Sequence, residues 1–266
     1  LYIECSHVSK RFTDSEKRGW GLFQGQAGLL DFTATLKGGV TAVLGPPSSG
    51  KSTLLQIIAA FSVPDDGRVT YQFADHCSYV WSRRIADMGD MSTVELLQQR
   101  IGYVPSNKLL HPDDMVLEDA LLNLSYYHRL AQPKRRVVEM ITRWGLAAYR
   151  KGMLVELPEY ILSRYAIAAS LLGDPEFWLL DDPTRGLDEL GYNLFLHELQ
   201  QRREKGITIF VTHDLELAEL ADHLLLMESG FCRRIGERRW MTSGVPDGSV
   251  ASWYQLMQRF FLSSNS

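Results

Sequence analysis

Nine consecutive residues, Gly45-Pro46-Pro47-Ser48-Ser49-Gly50-Lys51-Ser52-Thr53, have the types and spacing for polyphosphate chemistry. They satisfy the pattern G-x-x-x-x-G-K-[ST], in which each fixed position has a physical task. Gly45 and Gly50 permit a tight turn, so that successive backbone N–H groups converge on phosphate oxygens. Lys51 reaches the terminal phosphates, and the Ser52 hydroxyl can ligate the Mg²⁺ that accompanies them. The four fixed positions would coincide by chance in roughly one chain of this length in a hundred. The flanks remove most of that chance: Val40-Thr41-Ala42-Val43-Leu44 reads as a buried strand and Leu54-Leu55-Gln56-Ile57-Ile58 opens a helix. A helix starting at the lysine aims its positive end at the phosphates.

Further along, Phe177-Trp178-Leu179-Leu180 is an apolar run that ends in Asp181-Asp182. A carboxylate at the end of a buried strand beside a phosphate loop can hold Mg²⁺ directly or through water. A second one can polarise an attacking water. The next apolar run, Ile207-Thr208-Ile209-Phe210-Val211, is followed by Thr212 and His213, which could hydrogen-bond a terminal phosphate.

The chain that must position these groups has 266 residues, enough for one large domain or two small ones. Its hydrophobic content, 45%, supplies a full core. A net charge of −4 gives no general attraction for nucleic acid or anionic lipid. Cys5, Cys77 and Cys232 lie far apart in the sequence, without metal spacing, and their odd number argues against a disulfide framework, so a reducing, cytosolic compartment is expected. No apolar run approaches the roughly 18 to 20 residues of a membrane span, so any membrane role is expected to be peripheral.

In chain order, Ile3 and Cys5 open a strand, and Leu30, Phe32, Ala34 and Leu36 alternate as a half-buried one. Pro64-Asp65-Asp66-Gly67 is a turn signal, after which Val69, Tyr71 and Phe73 share one face. Residues 75–95 read as a loop with a short helix, and Ile101-Gly102-Tyr103-Val104 as a strand stopped by Pro105. Three helical stripes follow: Val116, Ala120, Leu121, Leu124 and Tyr127; Val137, Val138, Ile141 and Trp144; and Ile161, Tyr165, Ala168 and Leu172. These are expected to be core packing. Strand and helix then alternate again, a hairpin forms around Gly230, and the tail over 249–262 reads as an amphipathic helix. Its apolar side is Trp253, Leu256, Phe260 and Phe261, which would dock on its own domain or on a partner.

Taken together, the phosphate loop, Ile101 to Pro105, Asp181 to Asp188 and Val211-Thr212-His213-Asp214 resemble the ATP-binding cassette (ABC) family over nearly the whole chain. The resemblance implies an α/β phosphate-loop NTPase fold: a mainly parallel core sheet, a small antiparallel β subdomain and a helical subdomain. It implies one ABC ATPase domain over 1–266, with core at 1–106 and 174–236, a helical subdomain at 107–173 and a C-terminal extension at 237–266. Such domains dimerise around two ATP molecules with Mg²⁺. By position, Phe12 is similar to the aromatic that stacks on adenine, and Asp181 to the metal-linked carboxylate. Asp182 is similar to the catalytic carboxylate, Asp188 to the aspartate of the following loop and His213 to the switch histidine. Thr53 closes the ATP-binding loop. The implied partners are a transmembrane permease, received near residues 106–112, and a second ATPase subunit, alike or different. The implied location is the cytoplasmic face of the cell membrane, with no nucleic acid. Residues 39–46 and 109–130 look most like exporter ATPases.

Several positions depart from the family pattern. Where the family carries Leu-Ser-Gly-Gly-Gln, this chain has Leu157-Pro158-Glu159-Tyr160-Ile161, with Arg164 still in register. Proline offers no N–H, and Glu159 would face a polyanion. Two like charges at 4 Å cost roughly 4 kcal/mol at an effective dielectric near 20. That cancels much of an ordinary micromolar affinity of about 8 kcal/mol. Ser106 stands where a glutamine is expected, Asp182 where a glutamate is, and Pro47 and Ser48 replace a polar residue and a glycine. The expectation is ATP binding with slow hydrolysis, in a transporter subunit whose partner cassette completes the site. An ATP-dependent structural or regulatory module without turnover is the alternative. A soluble member acting on ribosomes or DNA repair would usually carry two cassettes or a long coiled-coil insertion, which this chain lacks.

Overall fold

The computed structural model describes residues 1–12, 27–89, 91–107 and 114–264. Part of the expected permease groove (residues 108–112) lies outside them, as do the side chains of Phe261 and Leu262. The first half runs β1 Tyr2–Arg11, β2 Ala27–Lys37, β3 Gly39–Leu44, α1 Lys51–Ile58, β4 Asp66–Gln72, β5 Ser78–Ser82, α2 Arg83–Asp87, α3 Met91–Arg100 and β6 Ile101–Val104. After these come α4 Leu117–Tyr127, α5 Pro133–Arg143, α6 Glu159–Leu171, β7 Phe177–Asp181, α7 Glu189–Arg202 and β8 Ile207–Val211. The chain closes with α8 Leu215–Ala218, β9 His223–Glu228, β10 Phe231–Glu237, α9 Arg238–Met241 and α10 Val250–Ser264.

Two sheets form. Strands β2-β1-β4-β5 make an antiparallel sheet, and β10-β9-β3-β8-β7-β6 make a second whose strands are parallel apart from the edge strand β10. Strands β3, β7 and β8 are buried along their whole length. That is why they read as unbroken apolar runs: a parallel sheet covered on both faces has no wet side. Val43, Leu179, Ile209 and Leu225 point toward α1 and the antiparallel sheet, where Ile3, Phe32, Val69 and Tyr71 meet Leu54 and Ile58. Ala42, Leu180, Phe210 and Leu224 point the other way, into a cluster shared with α4, α5, α6 and α10. The parallel register places the ends of β3, β6, β7 and β8 on one side of the sheet, the usual place for a ligand.

The structure alters some expectations. Residues 75–95 contain a five-residue edge strand, β5, whose only buried side chain is Trp81. One buried position is too few to show a period. The α4 stripe begins at Leu117, with Val116 as its N-cap and Tyr127 exposed, and in α5 Val137, Ile141 and Trp144 are buried as expected, with Met140 in place of the exposed Val138. The tail helix docks on its own chain through Val250, Trp253 and Met257, with Leu256 packed against the same cluster and Phe260 exposed. Among the described residues no helix is long and apolar enough to cross a membrane.

Candidate nucleotide site

The chain leaves β3 through Gly45, whose φ of +152° suits glycine. A Cβ there would stand 2.2 Å from the Met227 carbonyl oxygen. Gly50, at φ +96°, is under the same constraint, since its Cβ would meet the Gly28 oxygen at 2.0 Å. Ser48 adopts φ +61° without being glycine, so this loop carries strain of about 1 kcal/mol. The β9–β10 turn braces the loop, with Gly230 N–H donating to the Ser49 oxygen at 3.1 Å. α1 has no acidic residue in its first turn and no side-chain cap, which leaves its leading N–H groups for an anion.

Lys51 is folded back into this loop. Its ammonium donates to Gly45 O at 2.8 Å, Pro46 O at 2.7 Å and Ser49 Oγ at 3.3 Å, and the residue is buried. Burial lowers its pKa, and the charges of Asp182 and Asp181 oppose that shift. Asp181 lies deeper. Burial raises its pKa, the Asp182 charge adds to this, and hydroxyl contacts from Ser52 and Ser106 work the other way. Its Oδ2 is buried and accepts no hydrogen bond. A buried carboxylate oxygen without a partner is costly. Beside the Ser52 hydroxyl it fits the hard oxygen set that Mg²⁺ takes.

Asp182 is half-buried at φ +48°, its N–H tied to the Val211 oxygen at 3.1 Å. His213 follows β8 by two residues and is exposed at the same end of the sheet. Phe12 is exposed at the end of β1. Its ring edge lies 2.7 Å, and the Thr53 methyl 2.8 Å, from where a Cβ on Gly28 would stand. The aromatic therefore flanks the first turn of α1. Lys51, Ser52, Asp181 and Asp182 thus act on one another, and Phe12 lies near Thr53.

Asp188 keeps different company. It caps α7, accepting from Gly191 N–H at 3.0 Å, and both its oxygens are held by Arg164, Nε to Oδ1 at 2.9 Å. Arg164 is buried and lies 5.7 Å from the Tyr160 ring centre, and the Tyr160 hydroxyl shares a 2.9 Å hydrogen bond with that of Tyr149. Pro158 is the N-cap of α6 without a side-chain bond, and the exposed Glu159 sits in its first turn. Gly186, at φ +74°, packs so closely there that a Cβ would be 2.8 Å from Glu159 Oε1. Sequence reasoning missed this lock on Asp188, because no local spacing signals a pair 24 residues apart.

Removing one partner of a buried ion pair is strongly destabilising. Arg164→Ala is expected to cost about 3 kcal/mol in chemical unfolding at neutral pH, the low end for such pairs because Asp188 remains partly solvated. Arg164 holds the Asp188 carboxyl below its ordinary 3.8. This contribution is present above pH 3.8 and is lost as pH falls through the lower folded value. Wild type and variant should therefore converge in acid, and a constant gap would refute the assignment.

A family model described as "ABC transporter" matches residues 30–185. The ABC transporter ATP-binding protein NatA of Bacillus subtilis is 28% identical over 86% of each chain. A probable sulfate/thiosulfate import ATP-binding protein, CysA of Chlorella vulgaris, is 31% identical over 96% of this chain and all of its own. A Nod factor export ATP-binding protein I of Burkholderia lata is 29% identical over 94% of this chain and 73% of its own. Among solved structures, an ATP-binding subunit of an ABC transporter superposes with a TM-score of 0.79 at 20% identity, covering 97% of this chain and 100% of that one. A dimeric cassette in a post-hydrolysis state, bound to ADP and Pi, superposes at 0.70 with 23% identity, covering 88% and 98%.

Proposed function

Because the chain belongs to the ABC transporter family, we propose that it is an ATP-binding subunit that holds Mg-ATP and dimerises to drive a membrane permease, with weakened hydrolysis. The observation that carries this reading is the convergence of Lys51, Ser52 and the unpartnered Asp181 oxygen at one end of the sheet. When bound, Mg²⁺ neutralises charge on the phosphates. Gly45 to Thr53 bind them, Phe12 stacks on the base, Asp182 takes a proton from the attacking water and His213 orients the terminal phosphate.

Permease docking is supported by a run of exposed apolar side chains between the core and the helices. The Phe61 ring lies tilted with its centre 5.4 Å from that of Tyr103, and Gln99 Nε2 donates to the Tyr127 backbone oxygen, tying α3 to α4 beside exposed Leu96, Tyr126 and Tyr127. On this reading the subunit works peripherally, at the cytoplasmic face of the membrane. Relatives bear both import and export names. Export is favoured here by the likeness of residues 39–46 and 109–130 to exporter ATPases.

Pro158 and Glu159 at the start of α6 favour a heteromeric pair, in which a partner cassette with an intact signature completes the site on Lys51. The same residues also support a second reading, a subunit that binds ATP as a regulatory device and does not turn it over. Steady-state turnover by the chain alone and with a co-purified partner cassette separates the two. Turnover restored by the partner supports transport, and tight Mg-ATP binding with none in any complex supports the regulatory subunit. Robust turnover by the isolated chain would overturn the claim of weakened hydrolysis.

A further inference from the structure

We propose that Lys10 is a positioning residue for the nucleotide base: tied down by Asp65, its ammonium holds the Phe12 ring ready for stacking. The inference rests on the reading of Phe12 as the aromatic that stacks on the base.

It starts from an irregularity in β1. Ile3 and Cys5 point inward in alternation, and then the register against β2 and β4 shifts around His7, which sits at φ +54°. A bulge of this kind resets the alternation. Val8 and Lys10 become the buried positions, and Phe12 follows them at the same period of two. Lys10 is only 8% exposed, which a lysine seldom is unless its charge is paired. Its partner is Asp65, in the turn after α1, with Nζ 3.3 Å from Oδ1. The same aspartate grips the backbone on both sides of Lys10. Arg11 N–H donates to Asp65 Oδ2 at 2.7 Å, and Asp65 N–H donates to the Ser9 oxygen at 2.8 Å. Three bonds to one residue thus fix the end of the strand.

The held ammonium lies 5.9 Å from the centre of the Phe12 ring, within the reach of a cation–π contact. A second constraint acts at the ring's edge, where Cε2 occupies space that a Cβ on Gly28 would need. Phe12 remains 38% exposed, and that surface is what a planar base can cover. An aromatic pinned before the nucleotide arrives loses little rotamer freedom on binding, so its stacking is realised as affinity. Without the cation, the ring is held at one edge only.

The test is calorimetric titration of the full chain with Mg-ATP and with Mg-tripolyphosphate, which carries the phosphates without the base. Wild type should bind ATP more tightly, and Phe12→Ala should close that gap. Lys10→Met keeps an apolar stem and removes the charge, while Asp65 retains the Arg11 N–H and lies 3.9 Å from Arg83. It should narrow the gap about fivefold, the worth of a cation–π contact, with tripolyphosphate affinity unchanged. That unchanged affinity also reports an intact fold. If Lys10→Met weakens both ligands through misfolding, Asp65→Asn, which keeps an acceptor for Arg11 and unties Lys10, should still narrow the gap. A gap that closes in Phe12→Ala but persists in Lys10→Met and Asp65→Asn would overturn the proposal and leave the stacking reading standing. A gap untouched by Phe12→Ala would remove that reading and the proposal with it.

Discussion

Lys51→Ala should weaken Mg-ATP binding by about a hundredfold or more, read by titration with a fluorescent nucleotide. A hydrogen bond to a charged group is worth about 1.5–3 kcal/mol, and an ammonium on a terminal phosphate makes more than one. All three donors of the ammonium are already spent on Gly45, Pro46 and Ser49. Binding therefore exchanges those bonds for phosphate oxygens, and the net gain comes from opposite charge. This has a pH signature. Burial lowers the Lys51 pKa from 10.5, so the ammonium is lost at a lower pH than for a free lysine. Affinity should fall as alkaline pH passes through that lowered value, and the fall should be missing in Lys51→Ala. Wild-type affinity in the variant would mean that nucleotide binds elsewhere.

Asp182→Glu should raise turnover by as much as about a hundredfold in whichever assembly hydrolyses ATP. A general base set back by about 1 Å can lose that much rate, and glutamate restores one methylene of reach. The position supports the role, since the Asp182 charge acts on both Lys51 and Asp181. At φ +48° a glutamate is tolerated less well than an aspartate, so the variant should lose up to about 1 kcal/mol of stability. The informative readout is kcat at saturating ATP with binding held constant. If kcat is unchanged while ATP still binds, the reach of this carboxylate does not limit hydrolysis.

Local rules were enough for the parts of this molecule that repeat a pattern. The buried strands β3, β7 and β8 were legible because a sheet covered on both faces demands unbroken apolar runs. The phosphate loop was legible because its backbone demands glycine at fixed offsets, and Gly45 and Gly50 do occupy conformations that a side chain would block. From these the chain's fold and the positions of Lys51, Ser52, Asp181 and Asp182 follow. Where a short strand buries a single side chain, as in β5, no period exists to read. In α5 the exposed Val138 breaks the i, i+3, i+4, i+7 face of Val137, Met140, Ile141 and Trp144, so a strict period would have chosen Met140. Asp188 shows the limit most clearly. Its place a few residues after Asp181 and Asp182 was visible in the sequence, yet its partner was decided by how α6 packs against the start of α7. Ion pairs between distant segments depend on distances that the order of residues does not contain. They exist only once the sheet has closed and the helices have settled on it.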